Sequence, residues 1–125
     1  DNPFTTNPHI DDESAYNYAV MLYLNKPDDC YGGTGIYKSR VLDNITPRVN
    51  DKLIPHEKFL SLYQVTDIIK DSTDKWELIH LFKMKYNRLI IYDSSFFHSI
   101  YLDSFELFKK YRYTINLWFD NKEMI

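Results

Sequence analysis

The segment from Tyr86 to Asp120 constrains the fold most, because two runs of branched and aromatic residues are separated there by polar turns. Its second run, Arg112–Phe119, alternates in a way that predicts a β-strand. One face of that strand carries Arg112, Thr114, Asn116 and Trp118. A guanidinium buried on such a face needs an anionic partner to offset its desolvation. Since no carboxylate of the chain is an obvious partner, the sequence predicts a bound ligand.

The first run, Asn87–Tyr92, also predicts a strand, and the polar turn Asp93–Ser95 follows it. His98 comes just after this turn, behind two phenylalanines. Two interpretations stay open for it: a ligand-binding histidine, or a core histidine whose ring nitrogens are satisfied by hydrogen bonds.

Composition favours a single mainly β domain spanning residues 1–125. The chain has 11 Tyr and 8 Phe, which suit strands better than helices. Its net charge of −3 is spread along the sequence, so we expect neither nucleic acid nor a membrane surface as a partner. The single cysteine, Cys30, and the lack of a long apolar run predict a cytoplasmic protein.

Three further strands and one helix are predicted from periodicity. The strands are Ala15–Asn25, Thr34–Ser39 and Lys75–Met84, and Gly32-Gly33 marks a bend or a close backbone approach. Apolar residues at helical spacing predict an amphipathic helix over Glu57–Lys70.

An imidazole and a carboxylate are predicted side by side near the start of the sequence. Pro8 favours extended backbone around it, and residues two apart in a strand share a face, so His9 and Asp11 point the same way. This short pattern is frequent by chance, and a solvated pair is its alternative. With His98 the set becomes two imidazoles and one carboxylate, which is the facial triad that binds non-haem Fe(II).

The order of the motifs resembles the Fe(II)- and 2-oxoglutarate-dependent oxygenases, and within them the prolyl-4-hydroxylase-like branch. The matching pieces are Pro8-His9-Ile10-Asp11, Tyr23-Leu24-Asn25, Gly32-Gly33, Asn87-Arg88-Leu89, Phe97-His98 and Arg112–Phe119. They cover nearly the whole chain except Arg40–Lys75.

The resemblance implies a double-stranded β-helix, or jelly roll, with one or two short helices. It implies that Fe(II) is bound by His9, Asp11 and His98, with no catalytic residue beyond these ligands. It also implies a 2-oxoglutarate pocket formed by Arg112, Asn116, Tyr23 and Met21. The activity implied is hydroxylation of a protein residue or small molecule with decarboxylation of 2-oxoglutarate to succinate. Asp11 favours hydroxylation over halogenation, since related halogenases lack that carboxylate.

The chain departs from the family pattern in two places. Eight residues precede His9, where the family usually has helices and at least one core strand. This predicts a fold short of N-terminal elements, for one of three reasons: the chain is a fragment, another subunit supplies strands, or the first sheet lacks an edge strand. An open sheet edge could pair with a second copy in a homodimer. The step from His98 to Arg112 is 112 − 98 = 14 residues, longer than in many relatives.

Alternative functions remain beside the oxygenase. One is a metal-binding jelly roll without oxygenase activity, in which Arg112 is structural and pairs with Asp103 or Glu106. Another is a β-sandwich binding module that takes neither iron nor cosubstrate. Tyr23 and Asn116 have the further interpretation of core polar groups, and His56 and His80 fall outside the motif order.

Overall fold

Strands form most of the part of the chain that the structure, a computed structural model, describes: residues 8–10, 17–49, 52–53, 72–102 and 111–120. The strands are β1 (Asn17–Tyr23), β2 (Gly33–Ser39), β3 (Arg48–Val49), β4 (Lys52–Leu53), β5 (Trp76–Lys83), β6 (Leu89–Asp93), β7 (Phe97–Tyr101) and β8 (Thr114–Asp120). A single 3-10 turn, Pro27–Asp29, begins at a proline that fixes its backbone. The mainly β class predicted from the sequence is confirmed.

The strands form two small antiparallel sheets and a two-stranded ribbon. The first sheet has the order β6-β1-β8, the second has the order β5-β2-β7, and β3 pairs with β4. From β5 onward, successive strands alternate between the two sheets. The predicted strands that contain or overlap β1, β2, β5, β6 and β8 are therefore confirmed.

The two sheets pack through the inward face of β1. In the first sheet Met21 lies between Ile90 and Asn116, and Ala19 lies between Tyr92 and Trp118. The main buried cluster joins both sheets and consists of Ala19, Tyr23, Ile36, Met84, Ile90 and Tyr92. A second cluster, Tyr37, Trp76 and Phe97, closes the far end of the second sheet. The register thus places Asn116 and Trp118, on the predicted polar face of β8, beside the inward residues of β1, although both side chains stay exposed.

The strict alternation predicted for β5 is interrupted. Ile36 of β2 pairs with His80, but the next residue, Tyr37, pairs with Leu78, so the register shifts by one residue at a bulge. Trp76 and Met84 are buried, whereas His80, at an even spacing between them, is exposed. A bulge shifts the pairing without leaving a clear periodic signal in the sequence.

The glycine pair allows a close backbone approach, as the sequence indicated. Gly32 has a φ of 57°, and a Cβ there would collide with the carbonyl oxygen of Tyr101. The predicted turn after β6 also forms, with the Phe96 amide donating to the Asp93 carbonyl at 3.0 Å. Both turns lead into strands that line the interior between the sheets.

Two predicted features lie outside the described residues: the helix Glu57–Lys70 and the segment holding Asp103 and Glu106. Within the described part of the chain, no helix is long and apolar enough to cross a membrane.

Candidate functional site

Two predicted metal ligands from distant parts of the chain lie in contact. His9 and His98 form an isolated antiparallel bridge in which each backbone amide donates to the other residue's carbonyl at 2.9 Å. Their ring centroids are 4.5 Å apart. His98 is buried on β7, while His9 is exposed. The fold therefore brings together two imidazoles that are 98 − 9 = 89 residues apart in sequence.

The orientation of the His98 ring is fixed by its neighbours. Nδ1 lies 2.9 Å from the carbonyl oxygen of Phe96, and because a carbonyl only accepts, Nδ1 carries the proton. When the ring is neutral, a proton on Nδ1 makes Nε2 the nitrogen that could bind a metal. The ring also packs against Tyr92, with centroids 4.9 Å apart. A backbone carbonyl that holds one ring nitrogen is the usual support of a metal-binding histidine.

The third predicted ligand, Asp11, lies outside the described residues. Among the residues that are described, no group of three or more His, Cys, Asp or Glu side chains is arranged to hold a metal. His80 lies on β5, where its ring contacts Phe82 at 4.5 Å, and His56 is outside the described ranges.

A cavity of about 180 Å³ connects the histidine pair to Arg112. Both sheets line it. The predicted site residues in its wall are His9, Met21, His98, Arg112 and Asn116. The wall also contains Ala19, Val20, Thr34, Tyr92, Ser99, Ile100 and Trp118. Five of the seven predicted site residues thus share one cavity.

Arg112 is held at the cavity by neutral groups. Nη1 donates to the Gly33 carbonyl at 2.8 Å, and Nη2 donates to Thr34 Oγ1 at 3.1 Å and to Met21 Sδ at 3.6 Å. The guanidinium also lies over the Tyr23 ring, 5.3 Å from its centroid. Its charge is therefore not neutralised by any of these contacts.

No carboxylate of the described residues forms an ion pair with Arg112; the ion pair found among them joins Lys38 to Asp43 at 2.7 Å. Asp103 and Glu106, its alternative partners, are outside the described ranges. Arg112 also acts on Tyr31: burial raises the pKa of that phenol, and the positive charge of Arg112 opposes the rise. Within the described residues, a cation thus faces the cavity, which favours an anionic ligand.

Tyr23 is fully buried and does not line the cavity. Its hydroxyl shares a hydrogen bond of 2.6 Å with Thr34 Oγ1, the atom that also accepts from Arg112. Sequence reasoning missed Thr34, because β2 was interpreted as an ordinary strand after a glycine turn. The available signal was a small polar residue two positions before Ile36, on the same strand face.

We expect Thr34→Val to destabilise the fold by about 1–3 kcal/mol, because it leaves the buried Tyr23 hydroxyl and an Arg112 donor without this acceptor. Thr34→Ser, which keeps the hydroxyl, is the control and should cost less. Urea unfolding of both variants measures the difference. Equal destabilisation would mean that the methyl group, and not the hydroxyl network, matters.

The fold and the cavity define a mainly β protein in which one cavity is lined by two histidines, His9 from an isolated bridge and His98 from β7, and by Arg112. The chain belongs to the DUF6445 family, a family of unknown function, which it matches over residues 2–117. No curated protein and no solved structure matches it.

Proposed function

We propose that this chain is an Fe(II)- and 2-oxoglutarate-dependent dioxygenase of the prolyl-4-hydroxylase-like branch. It would hydroxylate a protein residue or a small molecule. The observation that carries the proposal is the shared cavity, which places the contacting rings of His9 and His98 together with the Arg112 cation. The free thiol of Cys30, the single cysteine, supports a reducing, cytoplasmic location.

The strand order supports a jelly roll as the proposed architecture. Two three-stranded antiparallel sheets share a buried cluster, and the chain passes from one sheet to the other between β5 and β6, β6 and β7, and β7 and β8. Such alternation is the connectivity of a double-sheet jelly roll. The bridge from His9 to β7 extends the second sheet at its edge.

Iron suits the donors of this site. His9 and His98 would supply two imidazole nitrogens, and Asp11, two residues after His9, would supply the carboxylate. Phe96 fixes the tautomer of His98, so the ring is set before a metal arrives. Iron, when bound, supplies the activation of oxygen that couples decarboxylation of 2-oxoglutarate to substrate hydroxylation.

The spacing along β2 suits a dicarboxylate. Thr34 contacts Arg112, and Ile36, which pairs with His98, lies two residues, or about 7 Å, further along the strand. A five-carbon diacid is of comparable length. One carboxylate would pair with the planar guanidinium of Arg112, leaving the 2-oxo acid end toward the histidines.

The remaining residues would position this ligand and limit water. Asn116 and Met21 line the cavity wall in register with each other. Tyr23 would support the distal carboxylate together with Thr34, whose hydroxyl it contacts. Trp118 and Ile100 present apolar surface toward a substrate. The balanced reaction takes substrate, O₂ and 2-oxoglutarate to hydroxylated product, CO₂ and succinate.

Anaerobic absorption spectroscopy tests this proposal directly. Adding 2-oxoglutarate to the Fe(II)-loaded protein should produce a weak visible band, because the 2-oxo acid chelates the metal. Glutarate, which lacks the 2-oxo group, is the matched control and should produce none. A protein that binds Fe(II) but gives identical spectra with both acids would contradict the assignment.

One observation favours a second candidate, a metal-binding β module without oxygenase activity. Arg112 already donates to Gly33 and Thr34, which suits a structural role. In that case iron binds, but the protein forms no succinate from 2-oxoglutarate.

A further inference from the structure

The first sheet has a second face, turned away from most of the cavity wall, that is apolar except for Asp93 at its edge. Ala19, Met21 and Tyr23 point inward from β1, so the residues between them point outward. We call this the outer face. Its residues are Tyr18, Val20 and Leu22 on β1, Leu89 and Ile91 on β6, and Ile115, Leu117 and Phe119 on β8.

The outer face is extensively exposed. Leu89 is 56% exposed, Ile91 58%, Leu117 50% and Phe119 40%. None of its eight residues carries a charge. The largest apolar patch on a typical monomer is about 300–600 Å² and is often functional, because burying it is favourable. The face therefore indicates an interaction surface.

Its size fits pairing with a copy of itself. Half-exposed side chains of this kind each leave on the order of 100 Å² accessible, so the face offers roughly 600 Å² per copy. Burying two such faces removes about 1,200 Å² in total, which is the lower end of the range for stable, specific interfaces.

Its pattern is also self-complementary. Val20 pairs with Ile91 on one side and with Leu117 on the other, and Leu22 pairs with Leu89 and Ile115. Aliphatic side chains therefore stand in matching rows on β6 and β8. A twofold axis along β1 would place Ile91 of one copy against Leu117 of the other. The Asp93 residues of the two copies would lie on opposite sides of this axis, so like charges would not meet.

We infer that the outer face is a homodimer interface, with the first sheets of two copies packed face to face about a twofold axis near Val20. Sheets in this arrangement pack about 10 Å apart with their side chains interdigitated. Apart from Val20, the residues of the outer face do not line the cavity, so dimerisation leaves most of the cavity wall uncovered. This inference is independent of the proposed oxygenase activity.

Light scattering coupled to size-exclusion chromatography tests the dimer. The molar mass measured for the wild-type protein should be twice the 15.1 kDa of one chain, and that of the Leu117→Lys variant should equal the mass of one chain. Val41→Lys is the matched control, since Val41 is 63% exposed in a turn after β2 and lies off the outer face. That variant should remain dimeric. A wild-type chain that is monomeric at high micromolar concentration would overturn the inference.

A second measurement covers the case in which Leu117→Lys does not fold. In a Cys30→Ser background, Val20→Cys should be joined into a covalent dimer by a short bis-maleimide, because Val20 lies near the axis. Ile79→Cys, on the second sheet, should stay uncrosslinked. Equal crosslinking of both, or a monomer whose Val20→Cys thiol resists maleimide, would overturn the inference. A monomer with an unreactive Val20→Cys thiol would mean that another segment of the chain, or another protein, covers the outer face.

Discussion

His98→Ala is expected to abolish both the visible band of the Fe(II)–2-oxoglutarate complex and the formation of succinate. Its ring supplies one of the two imidazoles that meet at the cavity, and Phe96 already orients it for binding. Loss of a supporting residue alone lowers metal affinity by about 10–100-fold, so loss of a ligand should lower it further. Isothermal titration with Fe(II) and a succinate assay measure the two effects.

His80→Ala is the control for this result. His80 is an exposed histidine on β5 that contacts Phe82 and does not line the cavity. We expect the His80→Ala variant to keep the visible band of the Fe(II)–2-oxoglutarate complex and the succinate yield. Because His98 is buried, the melting temperature of each variant shows whether the fold survives. An unchanged succinate yield in a folded His98→Ala variant would refute its role as a ligand.

Arg112→Ala is expected to weaken 2-oxoglutarate binding by about 100-fold or more while iron binding changes little. The lost interaction is a charge-assisted, two-point pair with a carboxylate in a partly enclosed cavity. Arg112→Lys should recover only part of the affinity, because an ammonium cannot reproduce the planar geometry. Titration of 2-oxoglutarate into the Fe(II)-loaded protein, followed by the visible band, gives the cosubstrate dissociation constant of each variant. Isothermal titration with Fe(II) gives the iron affinity.

Arg88→Ala removes the same charge elsewhere and serves as the matched control. Its Nη1 donates to the Lys83 carbonyl at 3.0 Å, and it does not line the cavity. We expect normal cosubstrate affinity in this variant. If Arg112→Ala lowered iron and cosubstrate affinity equally, Arg112 would hold the fold and the metal-binding alternative would gain support.

Local alternation predicted most of the strands, because a period of two is visible within a single segment. It placed β1 and β8, although β8 begins at Thr114 and not at Arg112, and Arg112 and Asn116 line one cavity wall. It missed β3 and β4, since strands of two residues show no period. It also missed the bulge beside Ile36, which depends on pairing with another strand.

The site was harder to predict from local sequence patterns than the strands were. The meeting of His9 and His98 was predicted from the order of motifs, because nothing near either residue reveals the other. Thr34 was missed because its importance comes from Tyr23 and Arg112, which contact it from other parts of the chain. Whether Asp11 joins the histidines stays a prediction, as it lies outside the described residues.

The bridge between His9 and His98 makes formation of the site depend on a late step in folding. It closes a loop of 89 residues, and the entropic cost of so long a closure falls once nearer contacts, such as β2 with β7, have formed. Any metal bound there is then linked to the folding free energy of the second sheet. A substitution that weakens the pairing of β2 with β7 would consequently lower iron affinity without altering a single ligand.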